Sequence, residues 1–94
     1  VPVDPSPTVV MVRTPACHFC HEAEETLGAL FRARTINLVV VDADSDDGRD
    51  LIARHRPALA PLVLLDGEFF SSGRLPKHKL ARALGAARLT VARP

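Results

Sequence analysis

Two apolar stretches constrain this chain most: the continuous run TVVMV at residues 8 to 12, and INLVVVDAD at residues 36 to 44, which is apolar at its centre and ends in acids. Their β-branched side chains favour extended backbone. Neither run alternates with polar residues, so each predicts a strand buried on both faces. Between them, Phe19, Ala23, Leu27 and Leu30 recur at helical steps, with Phe31 beside Leu30. That is one apolar stripe on a helix. Glu22, Glu24 and Glu25 lie in its N-terminal half and Arg32 and Arg34 at its C-terminal end, which suits the helix dipole. Gly28 weakens such a helix by about 1 kcal/mol relative to Ala and leaves room for close packing. Strand, helix, strand predicts a parallel pair with a right-handed crossover.

The rest of the chain adds a shorter helix, a hairpin and a last helix. Ser45 or Asp46 caps a helix through about His55, with Leu51 and Ile52 as its apolar contacts and Pro57 ending it. LAPLVLLDGEFFSSG, 59 to 73, reads as two strands around an Asp66-Gly67 turn. Pro76 suits the first turn of a helix whose stripe is Leu80, Ala83, Leu84 and Ala87. The order β-α-β-α-β-β-α predicts an α/β fold: a mixed four-stranded sheet with helices on both faces. Ninety-four residues make one domain. We divide the chain into a flexible Pro-rich lead-in (1–7), a folded unit (8–87) and an unassigned tail (88–94).

The net charge of +1 selects neither a nucleic acid nor a membrane surface. No run approaches the length of a membrane-spanning helix. VPVDPSP lacks the basic and apolar regions of a secretory signal, so a cytoplasmic location is the default expectation. The chain starts at Val rather than Met, consistent with trimming. After Glu68 there are no acids, yet Arg74, Lys77, Lys79, Arg82, Arg88 and Arg93 follow. This is either a solvated helix face or a docking surface for an acidic partner.

The chemistry lies in TPACHFCHEAEE, residues 14 to 25. A disulfide between cysteines three apart closes too small a loop to add much stability. Cys17 falls where a strand hands over to a helix, and there free N–H groups and the dipole favour a thiolate. Cys20 lies one turn on, within reach of a disulfide after a small adjustment. Cys17 is then the attacking sulfur and Cys20 the resolving one. Three other readings stand beside this. CHFCH matches the c-type haem attachment pattern, with His21 as ligand, but the only methionine, Met11, lies inside a strand. A zinc site would use Cys17, Cys20 and His18 or His21, but no second Cys/His pair occurs at knuckle spacing. The cysteines could also simply be buried apolar residues.

Strand, loop and dithiol in VVMVRTPACHFC, the segment LAPLVLLDG, and FFSSGRLPKHKL together resemble the thioredoxin superfamily, and within it the glutaredoxin-like branch. The resemblance implies a thioredoxin-like fold and a thiol–disulfide oxidoreductase with Cys17 as nucleophile and Cys20 as resolving thiol. It implies that Pro61 is a cis-proline beside the dithiol, and that the Ala60 backbone pairs with an incoming peptide or glutathione. Phe19, His18, Arg13 and Arg74 complete the expected substrate-binding set. The arginines are candidates for substrate carboxylates. A protonated His18 beside the Cys17 thiolate would raise the potential above thioredoxin's, about −270 mV; a His18 that points to solvent would do little.

No bound cofactor or metal is implied. Glutathione is a candidate co-substrate, and a disulfide-containing protein or low-molecular-weight thiol is the expected partner, with an unidentified reductase as donor and no nucleic acid or membrane. A monomer is expected. The chain departs from thioredoxins proper at Ala16 and His18-Phe19, where they carry Trp and Gly-Pro. Met11 holds roughly the place of their buried acid, so another proton acceptor is needed. It departs from glutathione-using relatives at Arg13 and SSGRL, where they often carry Lys and a Gly-Gly followed by Asp. The competing reading is a non-catalytic thioredoxin-like binding module that docks a partner through its basic last helix.

Overall fold

The computed structural model describes residues 6–92, with no side chains described from residue 86 onward. The element order is β1 (Thr8–Arg13), α1 (His18–Arg32), β2 (Asn37–Asp42), α2 (Asp46–His55), β3 (Leu62–Leu65), β4 (Glu68–Ser72) and α3 (Lys77–Ala92). The strands form one sheet in the order β2-β1-β3-β4. β1 pairs with β2 in parallel and with β3 antiparallel, and β3 and β4 form the hairpin. This is the mixed sheet expected from the sequence. α3 takes in residues 88–92, which the sequence reading leaves unassigned. Residues 1–5 of the expected lead-in, and the side chain of Ala87, lie outside the described residues.

Each face of the sheet has its own core. On one face, Val9, Met11 and Val63 pack with Ala23 and Leu27 of α1 and Leu80 and Leu84 of α3. On the other, Val12, Leu62 and Leu64 pack with Leu51 and Ile52 of α2. The two-residue period of β1 sends Val9 and Met11 one way and Val12 the other, so the strand's continuous apolar run serves both cores. β1 and β3 are the central strands, and this explains the burial of both.

The second apolar run requires a correction. β2 is an edge strand, and Val39 and Val40 are 47% and 43% exposed. A run of Val residues signals extended backbone, but its position in the sheet is decided by topology. Phe31 is also exposed, so it does not belong to the buried stripe of α1. Gly28 meets only the Arg32 side chain and opens no close approach to another element.

Local signals act as the sequence suggests elsewhere. Ser45 caps α2, its Oγ accepting from Gly48 N–H at 3.0 Å. A Cβ at Gly48 would run into the Asp42 carbonyl oxygen, so this turn needs glycine. Arg56, in left-handed backbone before Pro57, closes the helix. Asp66 and Gly67 both have positive φ, which suits a two-residue hairpin turn. Asp66 also ties that turn to β1 by accepting from Thr8 N–H at 2.9 Å.

Candidate active site

β1 ends at Arg13, Pro15 biases Thr14 to extended backbone, and the chain then turns at residues 15–16 before α1. Ala16 then takes left-handed backbone (φ 54°), an uncommon state for a residue with a Cβ. Cys17 follows as the N-cap of α1. Its sulfur occupies the place of a capping oxygen: Cys20 N–H donates to Cys17 Sγ at 3.1 Å. Cys17 is half-buried and Cys20 only 2% exposed. The two form a disulfide, with their Cα atoms 5.1 Å apart. Helix geometry brings them there, since i and i+3 are neighbours on one face.

The surroundings divide into three parts. A cleft of about 390 Å³ is lined by Arg13, Thr14, Cys17, His18, Cys20 and Glu24. Within it Arg13 Nε lies 3.1 Å from Glu24 Oε1, and Thr14 Oγ1 lies 4.0 Å from Cys20 Sγ. Across the dithiol, the Ala60–Pro61 peptide is cis, and the Ala60 carbonyl oxygen lies 3.8 Å from Cys17 Sγ. On the third side, the Arg74 guanidinium sits 5.2 Å from the centre of the Phe19 ring. Beyond it a second cleft is lined by Glu22, Arg74, Leu75, Lys77 and His78.

The fold thus brings Cys17, Cys20, Ala60 and Pro61 together, with Arg13 and His18 on the rim of the dithiol cleft. Arg13 is engaged by Glu24, whereas Arg74 has no ion-pair partner among the described residues. His18 is turned to Glu22, its Nε2 3.2 Å from Oε2, and is well exposed. His21 likewise faces Glu25, at 3.8 Å. Both histidines therefore face carboxylates one turn along the helix and not the sulfurs. Among the described residues, no group of three or more His, Cys, Asp or Glu is placed to hold a metal.

Sequence reasoning misses Thr14 and Glu24. The signal for Glu24 was available: it lies four residues after Cys20, on the same helix face. Ala16's backbone leaves no trace in the sequence.

The sequence pattern of the glutaredoxin-like domain family matches residues 8–85. The chain belongs to that family. No curated protein matches it by sequence. Among solved structures, this glutaredoxin-like domain is similar to a thioredoxin-like protein from Clostridium perfringens (TM-score 0.67, 19% identity, covering 87% of this chain and 71% of that one). It is also similar to a chloroplastic thioredoxin z (0.68, 16%, 89% and 80%) and to mitochondrial thioredoxin 3 from Saccharomyces cerevisiae (0.64, 20%, 86% and 78%). At these identities the likeness shows the thioredoxin-like fold. That fold with a close cysteine pair supports thiol redox function in general. Among the described residues, no helix of the domain is long and apolar enough to cross a membrane.

Proposed function

We propose that this domain is a thiol–disulfide oxidoreductase in which Cys17 attacks and Cys20 resolves. One observation carries this reading: the half-exposed sulfur of Cys17 caps α1 and accepts from Cys20 N–H, while the sulfur of Cys20 is buried behind it. On reduction, the helix end and the Cys20 N–H favour a thiolate at Cys17, which solvent and substrate reach before Cys20. As a thiolate, Cys17 attacks one sulfur of a substrate disulfide, forming a mixed disulfide and releasing the other substrate sulfur as thiolate. Cys20, once deprotonated, attacks Cys17 Sγ, forms the internal disulfide and expels the second substrate thiolate. The substrate gains two electrons and the dithiol loses two, which an external thiol or a reductase must return.

The substrate-side groups fit this chemistry. The Ala60 backbone beside Cys17 suits pairing with an extended peptide or glutathione. Arg74, stacked on Phe19, is the better carboxylate ligand, because Arg13 already pairs with Glu24. Glutathione, with two carboxylates, is one candidate among low-molecular-weight thiols. A cytoplasmic setting is the redox compartment that such a dithiol suits.

The test is reduction of insulin and of a glutathione mixed disulfide. Cys17→Ser should abolish both. Cys20→Ala should accumulate a covalent adduct on Cys17, visible by mass. A wild type with no reductase activity that still binds a partner would establish the binding-module reading instead. The docking role of the last helix is weakened by Lys79, whose Nζ donates to the Phe70 carbonyl oxygen at 2.9 Å.

A further inference from the structure

The two edges of the sheet differ in how they are protected. At β4 the register slips between Val63 and Leu64, so the strand bulges at Phe70. Lys79 takes the Phe70 carbonyl and sits 4.7 Å from the centre of its ring. A bulge and a lysine at an edge are the usual guards against strand addition. β2 has neither. Its register with β1 is unbroken from Thr8↔Asn37 to Arg13↔Asp42. Its centre, Leu-Val-Val-Val, contains no Lys, Pro or Gly, and Val39 and Val40 expose apolar surface on opposite faces.

Among the described residues, the outer backbone of β2 is open as well. Asn37 N–H bonds to the Pro7 carbonyl and Ala43 N–H to the Arg13 carbonyl, so odd-numbered residues turn toward β1. Alternation then turns the N–H and C=O groups of Leu38 and Val40 outward. The Asp42 carbonyl is already used by Ser45.

Charge identifies the occupant. Arg32 and Arg34 stand before the strand and Asp42, Asp44, Asp46 and Asp47 stand at its end and beyond, all exposed. Asp46 pairs with Arg49; among the described residues the other three acids and both arginines have no ion pair. The edge is therefore basic at one end and acidic at the other. A second copy of the same edge, running antiparallel, meets it basic against acidic at both ends. A parallel copy would set like charges together.

We propose that β2 pairs with β2 of a second copy, antiparallel about a twofold axis that is perpendicular to the sheet and passes between the two Val39 residues, in place of the monomer expected from sequence. Such an axis keeps residues of one face opposite each other. Leu38 then lies opposite Val40 of the other copy, and the pair exchanges backbone bonds on either side of the axis. Extended outward, the same register sets Arg34 toward Asp44. The association joins two sheets into one and buries the exposed valines.

Analytical ultracentrifugation of the full chain from about 1 to about 500 µM, at low and high salt, tests this; screening weakens charge pairing at high salt. The mass should rise to twice the monomer, and less readily in salt. Val40→Lys, which guards the edge, should stay monomeric with an unchanged far-UV spectrum. Arg34→Asp and Asp44→Arg should each weaken association by about fivefold, and the double exchange should restore it to within about twofold. Aspartate is chosen at 34 because that position has φ 62°, which Asp tolerates. A wild type that stays monomeric throughout, including one that instead binds a foreign extended peptide at β2, overturns the proposal. So does a Val40→Lys protein that dimerises normally, or a double exchange without recovery. Should Val40→Lys not fold, the charge-exchange set decides.

Discussion

Folding should make Cys17 a stronger acid. The clean perturbation is Cys20→Ala, which leaves a single thiol, keeps the residue 20 N–H and suits a helix. That N–H lies 3.1 Å from Cys17 Sγ. A hydrogen bond to a charged group contributes about 1.5–3 kcal/mol, against about 0.5–1.5 to a neutral one. Sulfur is the softer acceptor, so about 1 kcal/mol of preference for the thiolate is the reasonable share. The N-terminal end of α1 adds about 0.3–1 kcal/mol. His18 adds little, because its side chain is exposed and faces Glu22 at 3.2 Å. Together these favour the thiolate by a little over 1.36 kcal/mol, the equivalent of about one pH unit.

The assay is the rate of alkylation against pH, for the folded variant and for the same variant in urea. The unfolded thiol should titrate near the ordinary value of about 8.5 and the folded one about one unit or more lower. Linkage gives an independent check. A folded-state value below the unfolded one contributes stability above the unfolded value, and that stability is lost as pH falls through the folded value. The variant should therefore gain about 1.4 kcal/mol in urea unfolding across that window, relative to a Cys17→Ser, Cys20→Ala control. A folded thiol that titrates with the unfolded one, or above it, refutes the capping argument and the nucleophile assignment with it.

Other outcomes follow from single residues. Leu27 is fully buried between α1 and the sheet, so Leu27→Ala should cost about 2–5 kcal/mol in denaturant unfolding. Ser71 is buried and, among the described residues, its Oγ has no hydrogen-bond partner, so Ser71→Ala should raise stability by up to about 1 kcal/mol, read as an increase in Tm. Glu24→Gln should slow release of the mixed disulfide while leaving the Cys17 alkylation rate nearly unchanged. Equal slowing of both steps would mean that Glu24 acts on the first thiol, and no slowing would exclude it from the reaction.

The fold was legible where a local signal had a single physical solution. Ser45 could cap only what followed it, Asp66-Gly67 could make only a tight turn, and the helical stripe of α1 had one buried side. Cys17 and Cys20 were legible for the same reason, since their spacing and the strand-to-helix junction fix their relation. What was not legible depended on assembly. Val39 and Val40 resemble the residues of β1 in every local respect, and only the strand order leaves them at an edge. Arg13 reads as a free cation until α1 brings Glu24 within 3.1 Å of it. Arg74 and Phe19 are far apart in sequence, and their stacking arises from the packing of the loop before α3.

Met11 bears on the second chemical step. It is fully buried in the strand leading to the dithiol, among Val9, Ala23, Leu27 and Val63. A carboxylate there would be desolvated by the same neighbours, and none supplies a hydrogen bond to offset it. The apolar residue therefore favours stability, and it moves the handling of the Cys20 proton out of the core. Polar groups line the cleft beside that sulfur: the Thr14 hydroxyl, 4.0 Å from Cys20 Sγ, and the Glu24 carboxylate, held by Arg13 and less exposed than its partner. On the proposed mechanism, a proton leaving by that side would pass to an acceptor at the surface. Resolution by Cys20 should then follow the pH and buffer outside more closely than it would with an acceptor sealed in the core. The first step, governed by a backbone N–H and a helix end, should not.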